Sequence, residues 1–199
     1  MIDTIVFDIG NVLVRWDPHA AFAPHLGGPD AVPAFLERIG FRALNLRADG
    51  GETFADLAAT IPDADDRALF LTYLDGHAAS IREPIEESWA LMERLRARGH
   101  AIHAITNWSA ETWPIGLATH PRLARAFGVT VVSGIEGVAK PGPEIFARLC
   151  AKAGVAPGQC LFIDDSAANV AGARAAGMEA HHFVDAAGLE RDLSARGLL

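Results

Sequence analysis

The sequence predicts an α/β fold, in which a Rossmann-like, doubly wound parallel sheet carries an inserted all-helical segment. Two patterns along the 199 residues support this prediction. Short apolar runs alternate with amphipathic stretches in the second half of the chain, which is typical of a parallel sheet covered by helices on both faces. Between the first apolar run and this half lies a long stretch with helical patterns and no convincing strand.

Five short apolar runs are predicted to contain the strands of the sheet. The first run, IVFDIGNVLV at residues 5–14, lies almost at the start of the chain and is interrupted by an acid, Asp8. The other runs are AIHAIT (101–106), VTVVS (129–133), CLFID (160–164) and EAHHFV (179–184). Their length and their content of β-branched and aromatic residues favour strands over buried helices.

Amphipathic stretches between these runs are predicted to be the covering helices. They lie at residues 86–100, 142–155 and 167–178, with a final helix at 188–199. In the first of them Trp89, Met92 and Leu95 share one face, and Gly99 is placed as a C-cap.

Residues 15–84 interrupt this alternation and are predicted to form an α-helical cap, inserted into a core made of residues 1–14 and 85–199. Helical patterns recur at about 18–26, 30–39, 53–61 and 63–79. Glycines and prolines separate these patterns. The segment RADGGET (47–53) is predicted to be a turn, with Glu52 in the first turn of the next helix.

Composition limits the function classes. A net charge of −8 disfavours nucleic acid as a partner, because an acidic chain repels the phosphate backbone. No apolar run approaches the roughly 20 residues that span a bilayer, and the first strand begins too early to leave room for a signal peptide. Cys150 and Cys160 lie in apolar contexts. We therefore expect a cytoplasmic protein with reduced core cysteines and no membrane partner.

Polar residues lie at the carboxyl ends of several predicted strands. Asp8 follows the first strand, Thr106 and Asn107 end the second, and Asp164 and Asp165 end the fourth. In an open parallel sheet these ends meet at one edge, where ligands bind. A further residue, Lys140, lies in a loop just before a predicted helix, and the topology brings this loop to the same edge.

Three carboxylates at one edge repel each other, so they need positive charge nearby. Lys140 supplies one charge, and a divalent cation would supply the rest. All-oxygen ligands without a Cys or His cluster favour Mg²⁺ over Zn²⁺, and such a site suits a phosphoryl group. Each residue alone has a plainer interpretation: a helix cap for an acid, a strand residue for Thr106, a solvated charge for Lys140.

Four motifs follow one another in a fixed order. They are FDIGNVL (7–13), AITN (104–107), KPGPEIF (140–146) and FIDDSAANVAGA (162–173). Together they resemble the haloacid dehalogenase-like (HAD) superfamily of hydrolases, in its DxGNV-type phosphatase subgroup. The resemblance covers residues 1–14 and about 85–184, and it implies a HAD-like core with the cap at residues 15–84.

The resemblance implies a role for each matching residue. Asp8 looks like a nucleophile that forms an aspartyl-phosphate and also binds Mg²⁺. Lys140 would neutralise Asp8 and the transferring group, and Thr106 with the N–H of Asn107 resembles the phosphate cradle. Asn11 is expected to offer backbone groups to phosphate in a tight turn.

The metal ligands are implied in the same way. Gly10 matches the position whose backbone carbonyl binds the metal, and Asp164 and Asp165 look like the acidic pair that completes the site, either directly or through water. The implied activity is that of a Mg²⁺-dependent phosphatase for a small phosphorylated metabolite, with a sugar phosphate as the default. The oligomeric state is left open.

One position departs from the family's pattern. Its phosphatases usually carry a second Asp two residues after the nucleophile, for proton transfer, and here that residue is Gly10. Asp17 or a metal-held water is a candidate replacement, although Asp17 also suits a helix cap ahead of Pro18. The glycine supports one alternative, a catalytically weak phosphate-binding homologue. A metal-free 2-haloacid dehalogenase is the other, and the paired acids argue against it.

Other residues near these motifs have open assignments. Trp108 and Trp113 either belong to the core or line the substrate entrance, and Arg15 and Trp16 lie at the junction between core and cap. His181 and His182 are adjacent on a strand and point to opposite faces, so we do not expect them to share a ligand. 

Overall fold

The computed structural model describes all 199 residues and contains one five-stranded sheet, in the order β3-β2-β1-β4-β5. Every neighbouring pair of strands is parallel. The strands are β1 (Thr4–Phe7), β2 (Ala101–Thr106), β3 (Thr130–Val132), β4 (Cys160–Asp164) and β5 (Glu179–His182). The predicted α/β fold with a parallel sheet is thus confirmed, and the β2 and β4 bounds match their predicted runs.

Helices cover both faces of the sheet. In the second half of the chain they are α6 (Glu86–Ala97), α7 (Trp113–Thr119), α8 (Ser133–Glu136), α9 (Pro143–Ala153), α10 (Ala167–Ala175) and α11 (Ala186–Ala195). Alternate residues of β1 point to opposite faces, as the pleat requires. Ile5 and Phe7 pack in one buried cluster with residues of α6 and α11, whereas Val6 packs in another with residues of α9 and α10.

Five helices lie between β1 and α6. They are α1 (His19–Phe22), α2 (Val32–Ile39), α3 (Phe41–Asp49), α4 (Phe54–Ala59) and α5 (Ala64–Ser80). They enclose a third buried cluster, in which Phe22 stacks on Tyr73 with the ring centroids 5.4 Å apart. We call residues 15–84 the helical insertion. Its division from the rest of the chain at residues 15 and 84 stays a prediction.

Helix α3 was not predicted from the sequence, and neither was α7. Gly40 has a φ of 64° and serves both as the end of α2 and as the residue before α3, so the chain turns sharply there. Residues 47–49 therefore end a helix instead of belonging to a turn. Glu52 also lies before α4, not in its first turn, because the helix begins after the N-cap Thr53.

Two antiparallel segments join the insertion to the sheet. The backbone N–H of Arg15 donates to Glu83 O at 2.8 Å, and that of Ile85 donates to Leu13 O at 2.8 Å. The indole N–H of Trp89 also donates to Leu13 O, at 2.9 Å. These bonds fix the entry and exit of the insertion beside the end of β1.

No helix in the structure is both long enough and apolar enough to cross a membrane. Cys150 and Cys160 are both buried and unbridged, as predicted.

Candidate active site

The carboxyl ends of β1, β2 and β4 bring the predicted polar residues together. Asp8 directly follows β1, Thr106 is the last residue of β2, and Asp164 is the last residue of β4. Lys140 reaches the same edge from the loop before α9. All four are buried, with Thr106 and Asp164 fully inaccessible to solvent.

Lys140 lies between two of the carboxylates. Its Nζ is 2.9 Å from Asp8 Oδ1 and 2.6 Å from Asp164 Oδ2, and it also donates to Ile105 O at 3.2 Å. Burial alone would lower the pKa of Lys140, but the charges of Asp8 and Asp164 outweigh burial and raise it. The ammonium therefore stays charged and holds the two acids together.

Asp164 is held by more than the lysine. Its Oδ1 accepts hydrogen bonds from the Ser166 N–H at 2.8 Å and from Asn169 Nδ2 at 3.0 Å. Asn169 lies in the first turns of α10, within the fourth motif, and sequence reasoning gave it no role. Its place one helical turn beyond the N-cap Ser166 is the signal that could have identified it.

Three acids form a cluster with the spacing of a metal site. Oxygen atoms of Asp8, Asp164 and Asp165 lie within 4.8 Å of one another. Burial raises the pKa of Asp8 above its ordinary range, Lys140 only partly offsets this, and Asp164 raises the pKa further. Burial also raises the pKa of Asp165. The cluster is therefore short of positive charge, and its all-oxygen donor set fits Mg²⁺. Gly10 lies beside it in the same cleft.

The residues predicted to cradle phosphate lie around this cluster. The hydroxyl of Thr106 is buried and has no hydrogen-bond partner. The side chain of Asn107 bonds both to the N–H and to the carbonyl of Lys140, each at 2.9 Å, and so fixes the lysine loop. Asn11 has a φ of 54°, the structure's one positive φ outside glycine, and its Oδ1 accepts from the Trp16 N–H at 3.0 Å.

A cleft of about 150 Å³ opens above the acids. Its floor includes Asp8, Gly10 and Asp165, and its aromatic wall is formed by Trp16, Tyr73 and Trp108. Trp113 does not line the cleft but packs edge-to-face on Trp108, with the centroids 5.4 Å apart. Trp108 thus faces the cleft, and Trp113 packs against Trp108.

Several candidate residues lie elsewhere. Asp17 is exposed and accepts a hydrogen bond from the His19 N–H at 3.0 Å, just before α1, whose N-cap residue is Pro18. His181 bonds Asp192 whereas His182 bonds the Asp165 carbonyl, and the two do not share a ligand. Arg15 is exposed, with Glu83 3.8 Å away.

The helical insertion contributes three polar residues that sequence reasoning missed. Asn45 and Asp49, one helical turn apart on α3, line the cleft opposite Asp8, and Asn45 Nδ2 donates to Asp49 Oδ2 at 3.0 Å. Burial raises the pKa of Asp49 to about 7, while Lys140 and the Ser109 N–H act in the opposite direction. His77, on α5, lines the cleft with a buried Nε2 that has no partner.

Part of the chain is similar in sequence to two known proteins. It is 35% identical over 108 residues to a chloroplastic flavin mononucleotide hydrolase of Arabidopsis thaliana, and 36% identical over 107 residues to a phosphatase of Mycobacterium tuberculosis. Each match spans 54% of this chain, and the matches cover 43% and 49% of the two relatives. The matched part is thus about half the length of these relatives.

Solved structures share the fold. A HAD family enzyme of Bacteroides thetaiotaomicron, in complex with magnesium and inorganic phosphate, has a TM-score of 0.68 at 20% identity, covering 93% of this chain and 96% of that one. The L-2-haloacid dehalogenase of Xanthobacter autotrophicus has a TM-score of 0.66 at 17% identity, covering 100% and 85%. These likenesses establish the fold and do not distinguish the two chemistries.

The sequence profile of the haloacid dehalogenase-like hydrolases matches residues 2–177, which include the sheet edge with its acids, the lysine loop and the helical insertion. The chain belongs to this hydrolase family.

Proposed function

We propose that the protein is a Mg²⁺-dependent phosphatase, which hydrolyses a small phosphorylated metabolite through an aspartyl-phosphate on Asp8. One observation carries the proposal: the buried acids Asp8 and Asp164 share a single lysine, and Asp165 adds a third carboxylate within 4.8 Å. A site of this kind suits phosphoryl transfer, in which the protein supplies mainly position and charge.

Asp8 is the proposed nucleophile. One of its oxygens, Oδ1, accepts hydrogen bonds from the Ile9 N–H at 2.7 Å and lies 2.9 Å from Lys140. These contacts orient the carboxylate, so that its other oxygen can attack phosphorus. Attack would give an acyl phosphate, which water then hydrolyses to release phosphate and restore Asp8.

The proposed metal ligands are Asp8, Asp164, Asp165 and the backbone carbonyl of Gly10. When bound, Mg²⁺ supplies positive charge for the phosphate oxygens and for the three acids. Among the chain's own groups, Thr106 is proposed to donate its unpartnered hydroxyl to a phosphate oxygen, and Lys140 to balance the charge on Asp8. The N–H of Asn107 is proposed to complete the cradle, whereas the Asn11 N–H donates to Val14 O at 2.7 Å and is committed to its own turn.

The cleft favours a small, uncharged leaving group. No lysine or arginine is among its lining residues, so no permanent cation there would pair with a second anionic group. Asn45 supplies an amide for hydroxyl groups, whereas Trp16 and Trp108 supply flat apolar surfaces. A sugar monophosphate fits these walls. The names of the two sequence relatives, a flavin mononucleotide hydrolase and a phosphatase, support phosphate monoesters as the substrate class.

Gly10 favours a second candidate, a phosphate-binding homologue that turns over weakly. A glycine cannot transfer a proton, so phosphate would bind normally at the acids and Lys140 while hydrolysis would be slow.

The test is p-nitrophenyl phosphate hydrolysis by the purified protein, with and without Mg²⁺. We expect p-nitrophenol release that requires both Mg²⁺ and Asp8, so Asp8→Asn should show no activity. Asp185→Asn is the matched control, because Asp185 caps α11 through the Gly188 N–H and is not among the cleft residues. Phosphate release from a panel of sugar phosphates then identifies the leaving group.

The same preparation separates the alternatives. Phosphate binding by calorimetry without turnover on the panel would support the weak homologue. Metal-independent chloride release from 2-chloropropionate would support the dehalogenase and overturn the proposal.

A further inference from the structure

The cleft brings together an acid of the helical insertion and the proposed nucleophile. Asp49 is the last residue of α3, and its side chain lines the same cleft as Asp8 and Gly10. Asn45 Nδ2 donates to its Oδ2 at 3.0 Å, which fixes the carboxyl from within the helix. Asp49 is also within electrostatic reach of Lys140, whose Nζ contacts Asp8.

The insertion is tied to the sheet edge beside Asp49. The N–H of Phe54 donates to Glu111 Oε2 at 2.6 Å, across to the loop that follows β2. Gly51 lies so close to the core that a Cβ there would be 3.4 Å from Gly134 O. The Ser109 N–H, in the same loop, lowers the pKa of Asp49. These contacts hold the carboxyl over the reacting edge.

Other acids and bases in the cleft are committed or unsuited to proton transfer. Asp8 and Asp165 belong to the proposed nucleophile and metal site. Tyr73 accepts a hydrogen bond from Trp16 Nε1 at 2.9 Å, and burial raises its pKa well beyond the neutral range. Burial lowers the pKa of His77 to about 4, so this ring is neutral at pH 7.

We propose that Asp49 is the proton donor and acceptor of the reaction, in place of the acid that Gly10 lacks. This inference rests on the proposed phosphatase function. The pKa of about 7 supports it, since a group that titrates near the working pH can serve in both directions. Asp17, the candidate from sequence, is exposed and bonded to His19, away from the cleft.

The two half-reactions balance through this one carboxyl group. In the first, an Asp8 oxygen bonds to phosphorus, the bond to the leaving oxygen breaks, and protonated Asp49 gives its proton to that oxygen. In the second, water bonds to phosphorus while the Asp49 carboxylate takes a proton from it, and the Asp8–phosphorus bond breaks. The net products are an alcohol and inorganic phosphate.

The experiment compares the wild type with Asp49→Asn in rapid-quench assays with p-nitrophenyl phosphate. This substrate has a good leaving group and needs little protonation, so the variant should still phosphorylate Asp8. Hydrolysis of the phosphoenzyme should then be slow. We expect a stoichiometric burst of p-nitrophenol, steady-state turnover lower by about 100-fold, and an Asp8-phosphorylated peptide by mass spectrometry. Phenyl phosphate has a poorer leaving group that needs the proton, so Asp49→Asn should show no burst with this substrate.

Two controls separate a chemical role from a structural one. Asp49→Asn should bind inorganic phosphate with Mg²⁺ as tightly as the wild type does. Its melting temperature should be no lower than that of the wild type. Asp49→Glu should recover part of the turnover and its pH dependence. Asp17→Asn should match the wild type throughout.

The outcomes distinguish the two proposals. Turnover by Asp49→Asn within threefold of an active wild type overturns the role of Asp49 and leaves the phosphatase proposal standing. Lower turnover without accumulation of phosphoenzyme, or with lost phosphate binding, also overturns it. A wild type inert towards all phosphate monoesters overturns the proposed function and, with it, this inference.

Discussion

The Lys140 ammonium lies 2.6 Å from the Asp164 carboxylate, and neither side chain is more than 1% exposed. Lys140 also contacts Asp8 at 2.9 Å, so one buried cation serves two buried anions. Such a group is costly to remove, because each remaining charge is left desolvated and unpaired.

Lys140→Met should therefore lower both stability and activity. We expect a loss of about 3–5 kcal/mol in the free energy of unfolding without metal, measured by urea titration. Turnover should fall by about 100-fold or more, because charge opposite the transferring group is lost. Lys152→Met is the matched control. Its side chain is 47% exposed and pairs with Glu136 at the surface, so this change should cost less than about 1 kcal/mol.

Thr106→Val should separate phosphate binding from folding. The Thr106 hydroxyl is buried without a partner, so its replacement by a methyl group removes no internal hydrogen bond. We expect an unchanged or slightly higher melting temperature, and inorganic phosphate binding weaker by about tenfold or more in calorimetry. Thr4→Val is the matched control, because Thr4 lies at the other edge of the sheet, at the start of β1, where its hydroxyl donates to Asp3 at 2.8 Å. That variant should bind phosphate normally.

Gly172→Ala should displace the loop that carries Lys140 and Pro141. A Cβ on Gly172, in α10, would lie 2.5 Å from Pro141 O and 2.9 Å from Pro141 Cβ. Pro141 follows Lys140, so the clash pushes on the residue that bridges the acids. We expect a loss of about 1–3 kcal/mol in stability and a lower kcat. At Gly158 a Cβ meets nothing within 4 Å, so Gly158→Ala should alter neither quantity.

The acids and the lysine were predictable from sequence because the topology of a parallel sheet decides where they meet. Once β1, β2 and β4 are recognised, Asp8, Thr106 and Asp164 must share the carboxyl edge. The five-stranded sheet follows from local patterns in the same way, although β3 and β5 are shorter than their predicted runs by one or two residues at an end.

The cleft wall was not predictable in this way. Helix α3 carries Phe41, Leu44 and Ala48 at helical spacing, and all three are buried, yet the glycines at 50 and 51 favoured a turn at residues 47–53. Even a correct helix would not have placed Asp49, because its position over Asp8 depends on how the insertion packs against the loop after β2. That contact joins residues distant in sequence, and no local pattern encodes it.

Asp49 should also make the stability of the protein depend on pH. Its folded pKa of about 7 lies above the ordinary aspartate value of 3.8, so the folded state binds the proton more tightly than the unfolded state does. This contribution favours folding below about pH 4 and is lost as the pH rises through 7. The groups facing Asp49 are Asn45 on its own helix, Tyr73 and His77 on α5, the Ser109 N–H and Lys140 from the core, and Asp8 and Asp165 across the cleft.

Asp49→Asn removes the titrating group and keeps its shape. At pH 8 the variant should be more stable than the wild type by about 1–2 kcal/mol, after allowance for solvent screening of a partly exposed residue. The difference should shrink steadily between pH 7 and pH 4, in urea titrations at matched ionic strength. Asp63→Asn serves as the comparison, since Asp63 caps α5 at the surface through the Asp65 and Asp66 N–H groups. An Asp49→Asn curve parallel to the wild type over this range would show that the pKa of Asp49 is the same in the folded and unfolded states, and it would remove the pKa argument for proton transfer by Asp49.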